Sequence, residues 1–243
     1  MAVLRLIALA AAAALAGCGT TTSNISLTDR GVFVPSGRVG IDISPRAEAP
    51  SRPHTGHGLE LGASGGSGED GQEIGAGNDP VVFGGQTFGT PVALNHEFDF
   101  RFVEAAYRYR RFFGEGEFGI EALGGLGHAE LDLKVAAAAQ SVREKLGDGG
   151  LVGGFGLIWK FLPATSLQSR FTLFVSGRTE GVTSAARFDV HVAQALGRNA
   201  ALRAGFVSWG VYSERESYDV STSRNSPINV RFSGPALGLD LAF

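Results

Sequence analysis

The sequence predicts an all-β chain: an eight-stranded up-and-down antiparallel transmembrane β-barrel. Three observations carry this. Apolar residues recur at every second position through most of residues 56–243. The connections between those runs alternate in length. No long apolar helix follows the first eighteen residues. A strand crosses a bilayer in about 9–11 residues, most of the runs reach that length, and a bilayer admits a sheet only when it is closed.

The eight runs follow in order. His57–Gly65 places Leu59, Leu61 and Ala63 on one face. Asn95–Arg111 starts with Phe98, Phe100 and Phe102, then shifts to Val103, Ala105, Tyr107 and Tyr109, a slip that a β-bulge would make. Glu117–Leu133 changes phase near Gly127. Leu151–Leu162 aligns Phe155, Leu157, Trp159 and Phe161. Ser169–Arg178 and Ala186–Leu196 follow, then Ala200–Tyr212, and Ile228–Phe243 slips at Gly234-Pro235. Connections 66–94, 134–150 and 213–227 are long; 112–116, 163–168 and 197–199 are short, and 179–185 is of middle length. Short turns on one side and long loops on the other are the pattern of outer-membrane barrels. Residues 135–148, "VAAAAQSVREKLGD", read as a short surface helix in one long loop. "RVGIDIS" (38–44) alternates too. A chain that enters and leaves on one side needs an even count, so either this segment lies outside the barrel or "VVFGGQTFG" (81–89) makes a tenth strand; eight is expected, because ten would break the long–short alternation.

Composition narrows the class. The 243 residues are 44% hydrophobic and 19% charged, with a net charge of −3. That balance implies no basic face, and no nucleic-acid partner is expected. The 36 glycines are about twice the ordinary share of roughly 7% and belong to bends and tightly packed strands. The one cysteine, Cys18, allows no internal disulfide and no cysteine-based metal site.

The chain opens "MAVLRLIALAAAAALAGC": Arg5, an apolar run from Leu6 to Ala16, then small residues. This reads as a secretory signal, too short for a spanning helix. Leu15-Ala16-Gly17-Cys18 resembles the lipobox of bacterial lipoproteins. The resemblance implies cleavage of residues 1–17 by lipoprotein-processing enzymes and acylation of Cys18. Gly19 stands where that family's inner-membrane retention signal has Asp, which implies the outer membrane. An ordinary secretory signal is the alternative. Residues 18–55, with "GTTTSN" and the proline-rich "SPRAEAPSRPHT", read as a tether, and residues 56–243 as the barrel.

The chain ends "ALGLDLAF". Leu237, Leu239, Leu241 and Phe243 share one face, and this strand resembles the assembly signal of outer-membrane β-barrel proteins. The resemblance implies recognition by the barrel-assembly machinery. The overall pattern resembles the small eight-stranded outer-membrane barrels, which implies outer-membrane lipid around the strands; together with the lipobox resemblance, the expected place is the bacterial cell outer membrane, lipid-anchored.

The faces opposite the aromatics carry Asp99, Arg101, Glu104, Arg108, Glu121, Glu130, Lys160, Arg170, Asp189, His191, Arg203, Arg231 and Asp240. In a narrow barrel these would face the lumen and pair, because an unpaired buried charge is expensive. The expected role is a structural polar plug; the alternative is a gate or narrow pore. Trp159, Trp209, Tyr107, Tyr109 and Tyr212 are expected in interfacial girdles.

His191, with Asp189 two residues away, and His128 are the candidates for acid–base chemistry. Lipid A deacylases of similar architecture place Ser two positions after the His; here those positions hold Ala193 and Glu130. Catalysis is therefore not expected, and a lipid A-modifying enzyme is kept as an alternative. A soluble lipocalin-like ligand carrier is the second alternative, although no Trp precedes Trp159 and the chain ends on a strand. His54 and His57 read as solvated linker, and neither metal nor cofactor is expected. The expected role is structural, or interaction through surface loops.

Overall fold

The computed structural model describes residues 25–44, 52–177, 181–213 and 227–243. The signal, the lipobox and Cys18 lie outside these residues, as does most of 213–227. The strands are β1 (Ile25–Arg30), β2 (Val34–Asp42), β3 (Gly56–Ile74), β4 (Val81–Phe83), β5 (Gln86–Phe88), β6 (Val92–Phe113), β7 (Phe118–Ala137), β8 (Gln140–Leu162), β9 (Thr165–Ser176), β10 (Ser184–Ala195), β11 (Ala200–Ser213) and β12 (Ile228–Ala242).

Ten of the twelve form one sheet, in the order β1-β12-β11-β10-β9-β8-β7-β6-β3-β2, and β2 also pairs with β12. That last pairing closes the ring. The eight-stranded, wholly antiparallel barrel is thus corrected on two counts. All eight expected runs are strands, but β1 and β2 join them, and both lie parallel to β12. The physical reason is that β3 and β12 would otherwise face each other with unpaired backbone edges. The alternating "RVGIDIS" segment lies between them, with Val39 opposite Leu61 of β3 and Leu241 of β12. So residues 25–42, within the stretch read as a tether, belong to the sheet.

β1 and β2 follow each other along β12 as one course. Arg30 lies opposite Ser233 and Val34 opposite Ala236. Three residues, 31–33, therefore face two, 234–235, which makes a bulge. Gly31 turns it with φ +96°, a conformation that other residues rarely adopt. The bulge flips the side-chain phase: Ile25 and Leu27 point inward on odd numbers, Val34 and Arg38 on even ones. Pro235, which has no N–H to donate, sits where the partner ladder is interrupted.

Counting β1 and β2 as one course, the ring has nine courses, and an odd ring must contain one parallel pair. At one end, the turn end, the connections 114–117, 163–164 and 196–199 are tight, while 43–55, between β2 and β3, is longer. Gly114 (φ +62°) and Gly116 (φ +86°) shape the first. At the other, the extended end, β3, β6, β7 and β8 run on. The expected long loop 134–150 is strand on both sides of a tight turn at Ala138-Ala139, and no helix forms there. The alanine-rich stretch is extended because β7 pairs with β6 as far as Ala136 and with β8 right up to the turn; tertiary pairing overrides helix propensity.

The expected slips in β6, β7 and β12 are not bulges. Pairing is continuous from Asn95 to Phe113 and from Phe118 to Ala137. What changes is the side of the wall that is apolar. Near the extended end Phe98, Phe100 and Phe102 point inward, with Ala129, Leu131, Leu133, Val230 and Phe232. Toward the turn end Val103, Tyr107, Ile120, Leu126, Leu157 and Leu239 point outward and are exposed. The switch falls between Phe102 and Val103 on β6, opposite Ala129 and His128 on β7.

The interior is therefore in two parts. Its extended-end half is an aromatic and aliphatic core, where Trp209 meets Phe100 and Phe102 with ring centroids 4.9 and 5.2 Å apart. The hairpin β4–β5 adds Val81, Phe83 and Phe88 to this core. Its turn-end half is charged.

Candidate functional site

The charged half is assembled strand by strand from inward positions. β2 supplies Arg38 and Asp42; β3, Glu60; β6, Glu104, Arg108 and Arg110; β7, Glu121. β9 supplies Gln168, Arg170 and Thr172; β10, Arg187, Asp189 and His191; β11, Arg203; β12, Asp240. β8 presents small inward residues there, Gly154 and Gly156. A side chain at Gly156 would meet the Ser169 backbone at 2.7 Å and Glu121 at 3.5 Å. At Gly58 and Gly238 a side chain would meet the guanidinium groups of Arg108 (3.0 Å) and Arg203 (2.9 Å), so the glycine-rich composition is partly a matter of room for these charged groups.

Arg170, 2% exposed, is the hub. Its Nη1 donates to Glu60 Oε1 at 2.5 Å and its Nε to Glu121 Oε1 at 2.7 Å. Arg110 Nε donates to the other Glu121 oxygen at 2.6 Å. Arg108 joins Glu60 (3.0 Å) to Asp42 (2.7 Å). On the other side Asp240 holds Arg203 (2.7 Å) and Arg38 (3.3 Å). Arg187 links Glu104 (3.0 Å) and Asp189 (3.2 Å), with its guanidinium 5.4 Å from the Trp209 ring. That contact joins the charged half to the aromatic half.

Each arginine in this set meets at least one carboxylate, and the pairs bridge strands across the lumen as well as neighbours. Two cavities among them measure about 20 and 30 Å³, room for a water molecule or so each. The arrangement can cross-brace the wall and block passage.

The sequence-predicted residues divide. Glu104, Arg108, Glu121, Arg170, Asp189, His191, Arg203 and Asp240 lie in the network. Lys160 also points inward, at the turn-end rim, its Nζ 4.0 Å from the Phe112 ring centroid. Asp99, Arg101, Glu130 and Arg231 lie on the outer face, a correction that follows from the polarity switch. Asp99 and Arg101 pair with each other there at 3.0 Å, and Glu130 pairs with Lys145 at 2.9 Å. Sequence reasoning missed Arg38, Asp42, Glu60, Arg110 and Arg187. For Glu60, Arg110 and Arg187 the signal was present, since each alternates with residues taken as outward.

His191 meets Asp189 through Nδ1 at 3.1 Å; its Nε2 faces Arg38 (3.2 Å) and Gln168 (3.3 Å). Both ring nitrogens are committed within the network. His128 is exposed on the outer face. His54 lies 3.6 Å from Asp42, and His57 contacts the Tyr107 hydroxyl. No cluster able to hold a metal occurs among the described residues.

The outer face completes the site. Phe155, Leu157, Trp159 and Phe161 all point outward and are exposed. At the turn end Phe118 stacks on Trp159 (5.9 Å, 2°), which meets Phe161 at 5.7 Å; Tyr107, Phe113 and Phe243 are exposed around the same rim. Trp209 is buried, and is no part of a girdle. Beyond the switch the outer face turns polar, with Lys134–Glu97 (2.7 Å) and Arg143–Asp132 (2.8 Å) pairs.

Leu237, Leu239 and Leu241 lie on the outer face of β12, Phe243 just beyond it is exposed, and Phe243 N donates to Gly40 O at 3.0 Å. Comparisons with protein-family models, with curated proteins and with solved structures find no match.

Proposed function

We propose that this chain is an outer-membrane protein whose closed sheet spans the lipid, lipid-anchored through Cys18, with a structural or surface-interaction role and no catalysis. The observation that carries the proposal is the polarity switch along single strands. Toward the turn end the wall is apolar outside and ionic inside, the reverse of a water-soluble domain. The outward band runs from Val103 to Phe113 on β6 and from Leu151 to Phe161 on β8, matching the roughly 9–11 residues a strand needs to cross a bilayer. Exposed aromatic residues rim it at one end, where rings favour the lipid–water boundary. Beyond it the wall has the ordinary arrangement, apolar within and charged without, as a part standing in water requires.

The ionic half then acts as a plug and brace, and the extended end is the surface offered to partners. The outer membrane, as opposed to another bilayer, rests on the Leu15–Cys18 motif and on the alternating Leu237, Leu239, Leu241 and Phe243. Reconstituted protein in planar bilayers is the test. Little or no steady conductance is expected with the protein inserted; reproducible large channels would overturn the plug. Recovery in a soluble fraction, without detergent, would overturn the membrane reading itself.

A further inference from the structure

The charges inside the ring balance except at one place. Among the described residues the turn-end network holds six arginines and six carboxylates, and each of those arginines has a carboxylate against it. Lys160, on β8, is a further inward cation. No carboxylate among the described residues pairs with it; its Nζ rests 4.0 Å from the Phe112 ring centroid. A cation–π contact offsets only part of the hydration an ammonium gives up on burial.

Lys160 lines a cavity at the turn-end mouth. About 430 Å³ of space opens between Arg52-Pro53 and the turns 114–117 and 163–164, an ordinary size for a small-molecule site. The space exists because the inward positions around it are small: Ser166 on β9, Ala193 and Ala195 on β10, Ala201 on β11. Ser166 lies directly opposite Lys160 in the β8–β9 ladder, and Ala193 opposite Ser166 in the next. Side chains so paired stand on one face with Cβ atoms about 4.5–5.5 Å apart. Ser166 is 2% exposed. Its Oγ accepts from Gln168 Nε2 at 2.9 Å, so its own O–H remains to donate, and no acceptor for it occurs among the described residues. An ammonium and a hydroxyl hydrogen therefore share one side of the cavity, with methyl groups beyond them. Arg52, Glu115 and Glu117 line the lip and are exposed, where water and salt screen their charges.

We propose that this mouth binds a small molecule by its oxyanion, a carboxylate or a phosphate, with Lys160 and Ser166 as donors and the alanine methyl groups against its apolar part. The charge-assisted hydrogen bond from Lys160 is the strong contact, and the ligand brings the counter-charge that the ring lacks. The site belongs to the interior of the ring and does not depend on a bilayer around it.

The test uses the full chain in detergent micelles, with isotope-labelled alanine methyl groups read by NMR. Sodium phosphate and sodium acetate are titrated separately, against sodium chloride at matched ionic strength. Saturable shifts of the Ala193, Ala195 and Ala201 methyl signals, absent in chloride, are expected. A response to phosphate alone makes the ligand a phosphate ester, to acetate alone a carboxylate, and to both an oxyanion of either kind. Lys160→Met should weaken binding by about tenfold or more, and Lys160→Arg should keep it. The methyl signal of Ala129, buried in the extended-end core, reports that each variant is folded. No saturable shift with either anion, or equal affinity in Lys160→Met and wild type, would overturn the site.

Discussion

At the scale of single residues, Arg170 and His96 make opposite statements about buried charge. Arg170 is fully engaged by Glu60 and Glu121. Removing one partner of a buried ion pair costs about 3–5 kcal/mol, because the other is left uncompensated. Arg170→Met should destabilise the folded protein by about that much, and adding Glu121→Gln should recover part of it. Urea unfolding in detergent reads both; a double variant no more stable than the single would contradict the pairing. His96, in the extended half, is fully buried and neither ring nitrogen has a hydrogen-bond partner among the described residues. Burial pushes its pKa down from 6.5 to about 4, with Asp70 the charged group opposing the shift. The folded protein therefore keeps this ring neutral while the unfolded chain takes up a proton below about pH 6.5. Stability should fall as pH drops from about 6.5 and level off below about 4, and His96→Leu should flatten that slope. An unchanged slope in the variant, by unfolding at pH 7.5 and 4.5, would remove His96 as the cause.

Single elements show what alternation says and what it omits. Every one of the eight period-2 runs is a strand, since alternation follows directly from the pleat. Alternation does not say which face is inside. The run Phe98-Phe100-Phe102 and the run Val103-Ala105-Tyr107 look like one face with a slip between; in the ladder they are opposite faces of one regular strand. Taking every aromatic face as outward is what placed Asp99, Arg101 and Arg231 in the lumen. β1 is invisible for another reason. It is short, and above Gly65 its neighbour β3 meets it through side chains: Asp70 accepts from Thr28 N at 2.8 Å and Gln72 from Ser26 N at 3.1 Å. Such pairing leaves no periodic mark in either segment. Asp70→Ala should loosen this seam, giving faster amide exchange at Thr28 with β12 unaffected; equal protection in both proteins would show that the side chain does not hold the seam.

The last strand is the element with the most exposed duty. Its Leu237, Leu239, Leu241 and Phe243 face outward, and Phe243 is tied to Gly40 and Asp42 by backbone hydrogen bonds. Deleting Phe243 should impair outer-membrane assembly and leave secretion intact. Heat-modifiable gel migration and fractionation measure this, and assembly at the wild-type yield would contradict the role.

For the whole molecule, the deciding property is what touches the outer wall between the turn end and the switch. The two tryptophans offer an internal comparison, because Trp159 is on that wall and Trp209 is 2% exposed within the ring. Protein carrying Trp209→Phe reports from the wall; protein carrying Trp159→Phe reports from the interior. Each is reconstituted into vesicles of ordinary or brominated phosphatidylcholine, and tryptophan fluorescence is read. Strong quenching of Trp159 by lipid bromines, with Trp209 nearly untouched, is the predicted result. Trp159 unaffected by bromine and quenched instead by aqueous iodide would contradict the membrane-spanning wall.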